Sequence, residues 1–291
     1  MKARIAAAFV FAAPALALAQ MGGGMGGGMG GMGGMGGGAP PARGPMEDLI
    51  PEVDAAYAAD AQKAYDHGEA MFQKREWLDA IAAFRLVTQR FSYNVTLAAL
   101  SELRLADIAF ERERFTEARG LYRNFVRFHP QHPRVDDAEF RIGLSAFRDI
   151  PGDTFIEPPS VERDQTEVKG ALRELRGYLE RRTEGPHAAE AREIVRQCED
   201  KLASHELVVA RFYAHEKKWK AVALRADNAV RDFPSSSLVP EALTLSVEAH
   251  VQTGTLDAAR QSLETLEAMQ PDKKLLARAA KALRSSGAKE E

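Results

Sequence analysis

Beyond residue 47, apolar positions recur at intervals of three and four with almost no strand-like alternation, a period that predicts helices throughout. In WLDAIAAFRLV a large residue, Trp77, is followed by Ala80, Phe84 and Val87, which stack on one helix face. The same spacing returns at Phe115, Ala118, Tyr122 and Phe125, at Trp219, Val222, Ala226 and Ala229, and at Leu256, Ala259, Leu263 and Leu266. Fifteen residues after the leading residue a proline forbids further helix in three of these four segments, at Pro130, Pro234 and Pro271, and Ser92 holds that place in the first. A fifth, degenerate segment, Val168, Ala171, Leu175 and Tyr178, keeps the spacing, but its proline, Pro186, comes three residues later.

Three of the stripes are preceded by another helical stretch carrying a small residue nine positions upstream of the leading one: Gly68, Ala106 and Ala210. Small residues there let two helices approach closely, the packing logic of a tetratricopeptide repeat. The pattern therefore predicts an all-α solenoid of about five helix pairs, with Trp77 and Trp219 buried. Leading residues are 38, 53, 51 and 37 apart, against the 34 of an ideal repeat, so some helices or turns must be extended. Residues 150–166, IPGDTFIEPPSVERDQT, carry three prolines and are expected to form an exposed insertion between the two helices of the third pair. An extra helix over about Val53 to Lys74 is expected to open the stack. The body is expected to run from 47 to 285, fraying after Leu283 into a disordered tail at 286–291.

The first 46 residues are different material. Lys2 and Arg4 precede a 15-residue apolar stretch ending in Ala17-Leu18-Ala19, which predicts a cleaved export signal over residues 1–19. That stretch falls short of the roughly 18 apolar residues of a spanning helix. A lipoprotein would need a cysteine at the cleavage point, and this region contains none. Residues 20–46 are rich in Gly, Met and Pro and are expected to be a disordered tether with a root-mean-square span of roughly 30 Å. The thioethers of Met21, Met25, Met29, Met32 and Met35 would suit cuprous ion, against the alternative of low-complexity drift.

The formal net charge of −3, or −5 once Lys2 and Arg4 leave with the leader, does not suggest a nucleic-acid binder. One cysteine, Cys198, excludes an internal disulfide or a thiolate zinc cluster. Its spacing from Ile194, Val195 and Leu202 makes it a buried small hydrophobe, with a reactive thiol as the alternative. The sequence has no Gly-rich phosphate loop, no paired histidines flanking a glutamate on one helix face and no Gly-x-Ser-x-Gly elbow, so an enzyme, a metal site or a cofactor is not expected. His129 and His132 in HPQHP have no evident third ligand and read as a turn. Arg112, Arg114, Arg119, Arg123 and Arg127 lie among Phe115, Tyr122 and Phe128, but Glu111, Glu113 and Glu117 interrupt them, as on a solvated helix face.

Over roughly residues 52–275 the chain resembles the BamD family, whose members belong to the machinery assembling outer-membrane β-barrels. The resemblance is carried by the HPQHP turn, by Arg163-Asp164 in the insertion, by the Tyr213 to Trp219 stretch and by Arg231-Asp232-Phe233-Pro234. It implies a non-enzymatic periplasmic scaffold, peripheral to the outer membrane and attached to it indirectly. Its implied partners are a BamA-like barrel subunit on the C-terminal repeats, unfolded outer-membrane proteins on the N-terminal ones, and other assembly subunits. Arg225 matches the family arginine that reaches the barrel subunit, and Arg163 and Asp164 join it as partner-binding candidates. Arg90, Phe91 and Tyr93 are the precursor-binding candidates. Ser92 and Asn94 replace the proline and glycine of the family turn, Asn94 tolerating a left-handed backbone. Leu78 stands where the family can carry an arginine. The alternative role is an envelope adaptor of the Tol-Pal, cell-wall remodelling type, although no heptad run precedes these repeats.

Overall fold

The computed structural model describes residues 55–152, 159 and 163–287, all within one compact unit over 52–291. The expected export signal and Gly/Met tether, the centre of the insertion and the last four residues lie outside the described residues. Among the described residues there is no strand, and eleven helices follow in order: α1 Ala55–Gln73, α2 Trp77–Arg90, α3 Val95–Glu111, α4 Phe115–Phe128, α5 Val135–Arg148, α6 Thr166–Arg181, α7 Ala188–His215, α8 Trp219–Asp232, α9 Val239–Thr253, α10 Leu256–Ala268 and α11 Lys273–Gly287. Each helix packs on the next, and α1·α2 through α9·α10 form five antiparallel pairs.

The predicted stripes are the cores of these pairs. Ala80, Phe84 and Val87, then Ala118, Tyr122 and Phe125, then Ala171, Leu175 and Tyr178, then Val222, Ala226 and Ala229 are all at most 1% exposed. The leading residues behave differently. Trp77 and Trp219 are half-buried, packed against the edges of their clusters rather than inside them. They are the first residues of α2 and α8, where the chain enters the second helix of the pair.

From the second pair on, the first helices are covered on two sides. Helix α3 buries Leu97, Ala99, Ser101, Leu103, Ala106, Asp107, Ile108 and Ala109, because its own partner and the neighbouring pair both pack on it. Close approach needs small residues. A Cβ on Gly68 would stand 2.7 Å from the Phe84 ring, and one on Gly143 2.7 Å from the Leu175 side chain. Gly143 of α5 is thus the third pair's counterpart of Gly68, displaced from the nine-residue rule by the insertion between Arg148 and Thr166.

Four of the pairs are joined by one and the same turn. Arg75, Glu113, Lys217 and Gly254, each two residues before the leading residue, have φ of 60°, 58°, 56° and 77°. The next residue then donates its N–H five residues back, as from Glu76 to Met71 at 2.9 Å and from Lys218 to Tyr213 at 2.9 Å, the Schellman closure of a helix end. The long spacings have two separate causes: the insertion lengthens the third pair, and α7 lengthens the fourth by running 28 residues.

Two expectations about the ends are corrected. Helix α1 is the first member of the first pair rather than an additional helix. The unpaired helix stands at the other end: α11 packs on α9 and α10 through Leu276, Ala279 and Leu283 and continues past Leu283 to Gly287. No described helix is long and apolar enough to cross a membrane.

Candidate partner-binding surfaces

The turn after α2 carries the precursor-binding candidates. Phe91 is 6% exposed and meets Tyr57 edge-on at 5.1 Å between ring centroids, so it anchors the turn from inside and offers no free surface. The Tyr57 hydroxyl donates to the Arg90 carbonyl at 3.1 Å and accepts the Tyr93 N–H at 3.3 Å. The exposed part of the turn is Arg90, Tyr93 at 63% and Val95 at 67%. Asn94 is not left-handed. Its φ is −81°, and its side chain accepts the Leu97 N–H at 3.2 Å as the N-cap of α3.

A groove of about 410 Å³ beside α2, α3 and α4 lies within the same two pairs. Leu78, Ile81, Leu105 and Leu121 give it an apolar lining, and Arg85, Arg112 and Arg114 outnumber Glu117 among its charged residues. Leu78 is 76% exposed there. Three arginines thus stand around Leu78. Sequence spacing did not show this, because Arg85 belongs to α2 while Arg112 and Arg114 lie in the turn between α3 and α4.

The remaining candidates are partnered. Arg163 donates to the Gly152 carbonyl at 2.8 Å, tying the two ends of the insertion together. Asp164 accepts from the Thr166 N–H at 3.1 Å and its hydroxyl at 2.8 Å, a local turn leading into α6. Arg225 of α8 donates to Glu206 of α7 at 3.1 Å, a part-buried bond within the fourth pair. Phe212 and Leu224, adjacent in sequence to this region of the pair, are 62% and 59% exposed.

Charge inside the stack forms a ladder that the sequence did not reveal. Arg104 of α3 grips Glu69 of α1 at 2.5 and 3.0 Å and donates to Asp107 at 3.1 Å. Asp107, 4% exposed, accepts the Tyr122 hydroxyl at 2.7 Å and faces Arg141 of α5 at 3.8 Å. Burial and the neighbouring Asp107 carboxylate push the Tyr122 hydroxyl far above the ordinary tyrosine value. Further along, Asp136, Asp137 and His187 place ligand-type atoms within 4.8 Å of one another. Those atoms are already engaged: His187 meets Asp137 at 2.8 Å, Arg134 meets it at 3.0 Å, and Tyr178 and Arg182 reach Asp136 at 3.2 and 3.4 Å. The cluster clasps the α4–α5 turn to the α6–α7 turn.

The motifs that carried the resemblance close turns in the same way. His129 meets Glu102 at 2.8 Å, and His129 and His132 both lie 5.2 Å from the Phe125 ring. Phe233 packs against the clusters of the third and fourth pairs, while Glu199 accepts the Ser235 N–H at 2.6 Å beneath Pro234. Burial pushes the Cys198 thiol up to about 12, which makes it a packing residue.

A stack of helical hairpins with an ion-paired interior and exposed apolar side chains on its turns and helix faces is an all-helical repeat scaffold. A family profile described as "Outer membrane lipoprotein" (YfiO) matches residues 57–266, from α1 into α10, and the chain belongs to this family. It is similar to the outer membrane protein assembly factor BamD of Vibrio cholerae, 22% identical over 223 residues that cover 76% of this chain and 89% of that protein. BamD of Haemophilus influenzae is 25% identical over 215 residues, covering 72% and 80%, and BamD of Neisseria meningitidis is 23% identical over 222, covering 75% and 82%.

Proposed function

We propose that the chain acts in outer-membrane protein assembly as a non-enzymatic periplasmic scaffold that holds a BamA-like barrel subunit and unfolded barrel precursors. The observation that carries this role is the family match across residues 57–266, which takes in nearly all of the stack rather than one repeat. Repeat anchors alone recur in unrelated solenoids, whereas turn motifs as particular as HPQHP and RDFP do not follow from stacking itself.

The barrel subunit is assigned to the fourth pair, with Arg225 exchanging Glu206 for a partner carboxylate and with Leu224 and Phe212 as apolar contacts. Arg163 and Asp164 are assigned to the same partner through the insertion they close. Precursors are assigned to the first two pairs, where Arg90, Tyr93 and Val95 are exposed and the groove beside Leu78 offers apolar lining with arginines around it. Phe91 supports that turn from beneath.

Capture from detergent-solubilised envelopes tests the role. A BamA-like barrel protein is expected among the captured partners; recovery of soluble envelope proteins alone, with normal barrel levels after depletion, refutes it. Arg225→Glu is expected to weaken that capture at least about tenfold with helicity unchanged. Glu206→Gln, which frees the arginine, is expected to leave capture intact, and equal capture by both variants removes Arg225 from the surface.

A further inference from the structure

The last helix carries a charge distribution that no packing need explains. Over its 15 residues α11 holds Lys273, Lys274, Arg278, Lys281 and Arg284 and no acidic residue. At 100° per residue Lys274, Arg278, Lys281 and Arg284 fall on the half opposite Leu276, Ala279 and Leu283, the residues packed on the stack, and Lys273 lies at its edge. All five are exposed. Arg278 pairs with Glu248 of α9, while Lys273, Lys274, Lys281 and Arg284 have no carboxylate partner among the described residues. The neighbouring exposed acids, Glu264 and Glu267, belong to α10, so positive charge is segregated onto this one helix of a chain whose net charge is −3.

We propose that the outer face of α11 docks on an anionic phospholipid surface. Four unpaired cations spread along a helix of about 22 Å present a flat positive stripe, and a planar layer of phosphate headgroups is its complement. A folded acidic protein is a poorer match: Ala277 and Ser285 fill the spaces between the cations, and the face has no large exposed apolar side chain to anchor a protein interface. Three of the four are lysines, point charges on flexible stems that suit mobile headgroups better than they suit one fixed carboxylate. A groove of about 680 Å³ alongside places the half-buried Trp219 with Arg278 and Lys281, and an indole beside cations is the pairing found at bilayer interfaces. The surface lies outside the residues assigned above to the barrel subunit and to precursors.

Flotation of the full chain with vesicles of phosphatidylglycerol and phosphatidylethanolamine tests this, with phosphatidylcholine vesicles as the uncharged comparison. Binding is expected on the anionic vesicles at about 0.05 M salt, lost at about 0.5 M, and absent on phosphatidylcholine. Each basic residue near such a surface is worth about fivefold. The variant Lys273→Ser, Lys274→Ser, Lys281→Ser, Arg284→Ser is therefore expected to keep its melting temperature and lose several hundredfold in binding, with two-site variants losing proportionately less. Failure of the wild-type chain to bind anionic vesicles, or equal binding by the variants, overturns the proposal. So does a face that ignores vesicles yet retains a soluble acidic protein. Detergent capture of assembly subunits contains no bilayer, so its outcome is independent of this one.

Discussion

Tyr122 is fully buried yet ends in a hydroxyl, and Asp107 receives that hydroxyl at 2.7 Å. The stripe spacing identified Tyr122 as core from the sequence, but not its partner, which lies on another helix fifteen residues away. Ser101 of the same α3 shows what a missing partner means: its hydroxyl is buried and unbonded. Ser101→Ala is expected to raise stability by about 0.5–1 kcal/mol, read from the denaturant midpoint, because it removes a desolvated group with no compensating bond. His132 supplies a pH dependence. Burial, the neighbouring His129 and Arg134 hold its ring below the ordinary histidine value. The fold therefore favours the neutral ring, so its contribution is complete above about pH 6.5 and is lost as pH falls through the lower folded value. Melting temperature is expected to fall between about pH 7.5 and 5, and His132→Gln to flatten that fall; an unchanged slope would show that the ring does not sense the turn.

Elements, by contrast, were legible wherever the chemistry of a stripe repeats and hidden wherever the backbone alone does the work. Of the four left-handed turn residues only Gly254 is glycine; Arg75, Glu113 and Lys217 look like ordinary helix formers. The Schellman hydrogen bonds and the packed leading residues impose the turn on them at a cost of roughly 1–2 kcal/mol each. The third pair hid its small residue for another reason: the insertion moved Gly143 away from its stripe in sequence while leaving it against Leu175 in space. Gly143→Ala is expected to cost about 1–3 kcal/mol, since a Cβ would stand 2.7 Å from the Leu175 side chain. Gly120→Ala in α4 meets nothing within 4 Å and is expected to stabilise by up to about 1 kcal/mol. Paired chemical melts of these two variants separate close packing from helix propensity; a gain from both would mean that α5 and α6 can move apart freely.

On the scale of the molecule, each pair buries its stripe largely against its immediate neighbours, so the ends of the stack meet a need the middle does not. Periodicity revealed the five pairs but not the cap, because α11 has no repeat to belong to. The candidate surfaces were legible only by resemblance: nothing in the sequence tied Arg225 to Glu206 or gathered arginines around Leu78. Removing the cap tests what it does for the stack. Truncation after Asp272 would uncover the side of α9 and α10 where Leu243, Val247 and Leu266 are at most 3% exposed. Burial of that size is worth several kcal/mol at about 25 cal/mol per Å² of apolar surface. The truncated chain is expected to melt at lower temperature and to self-associate in size-exclusion chromatography, with hydrogen exchange accelerating first in α9 and α10 and hardly at all in α1 to α4. Uniform acceleration along the chain would mean that the stack unfolds as one cooperative body rather than pair by pair. The four-site serine variant of α11 keeps Leu276, Ala279 and Leu283 and should show none of these changes, which separates the helix's role as a cap from the role of its charge.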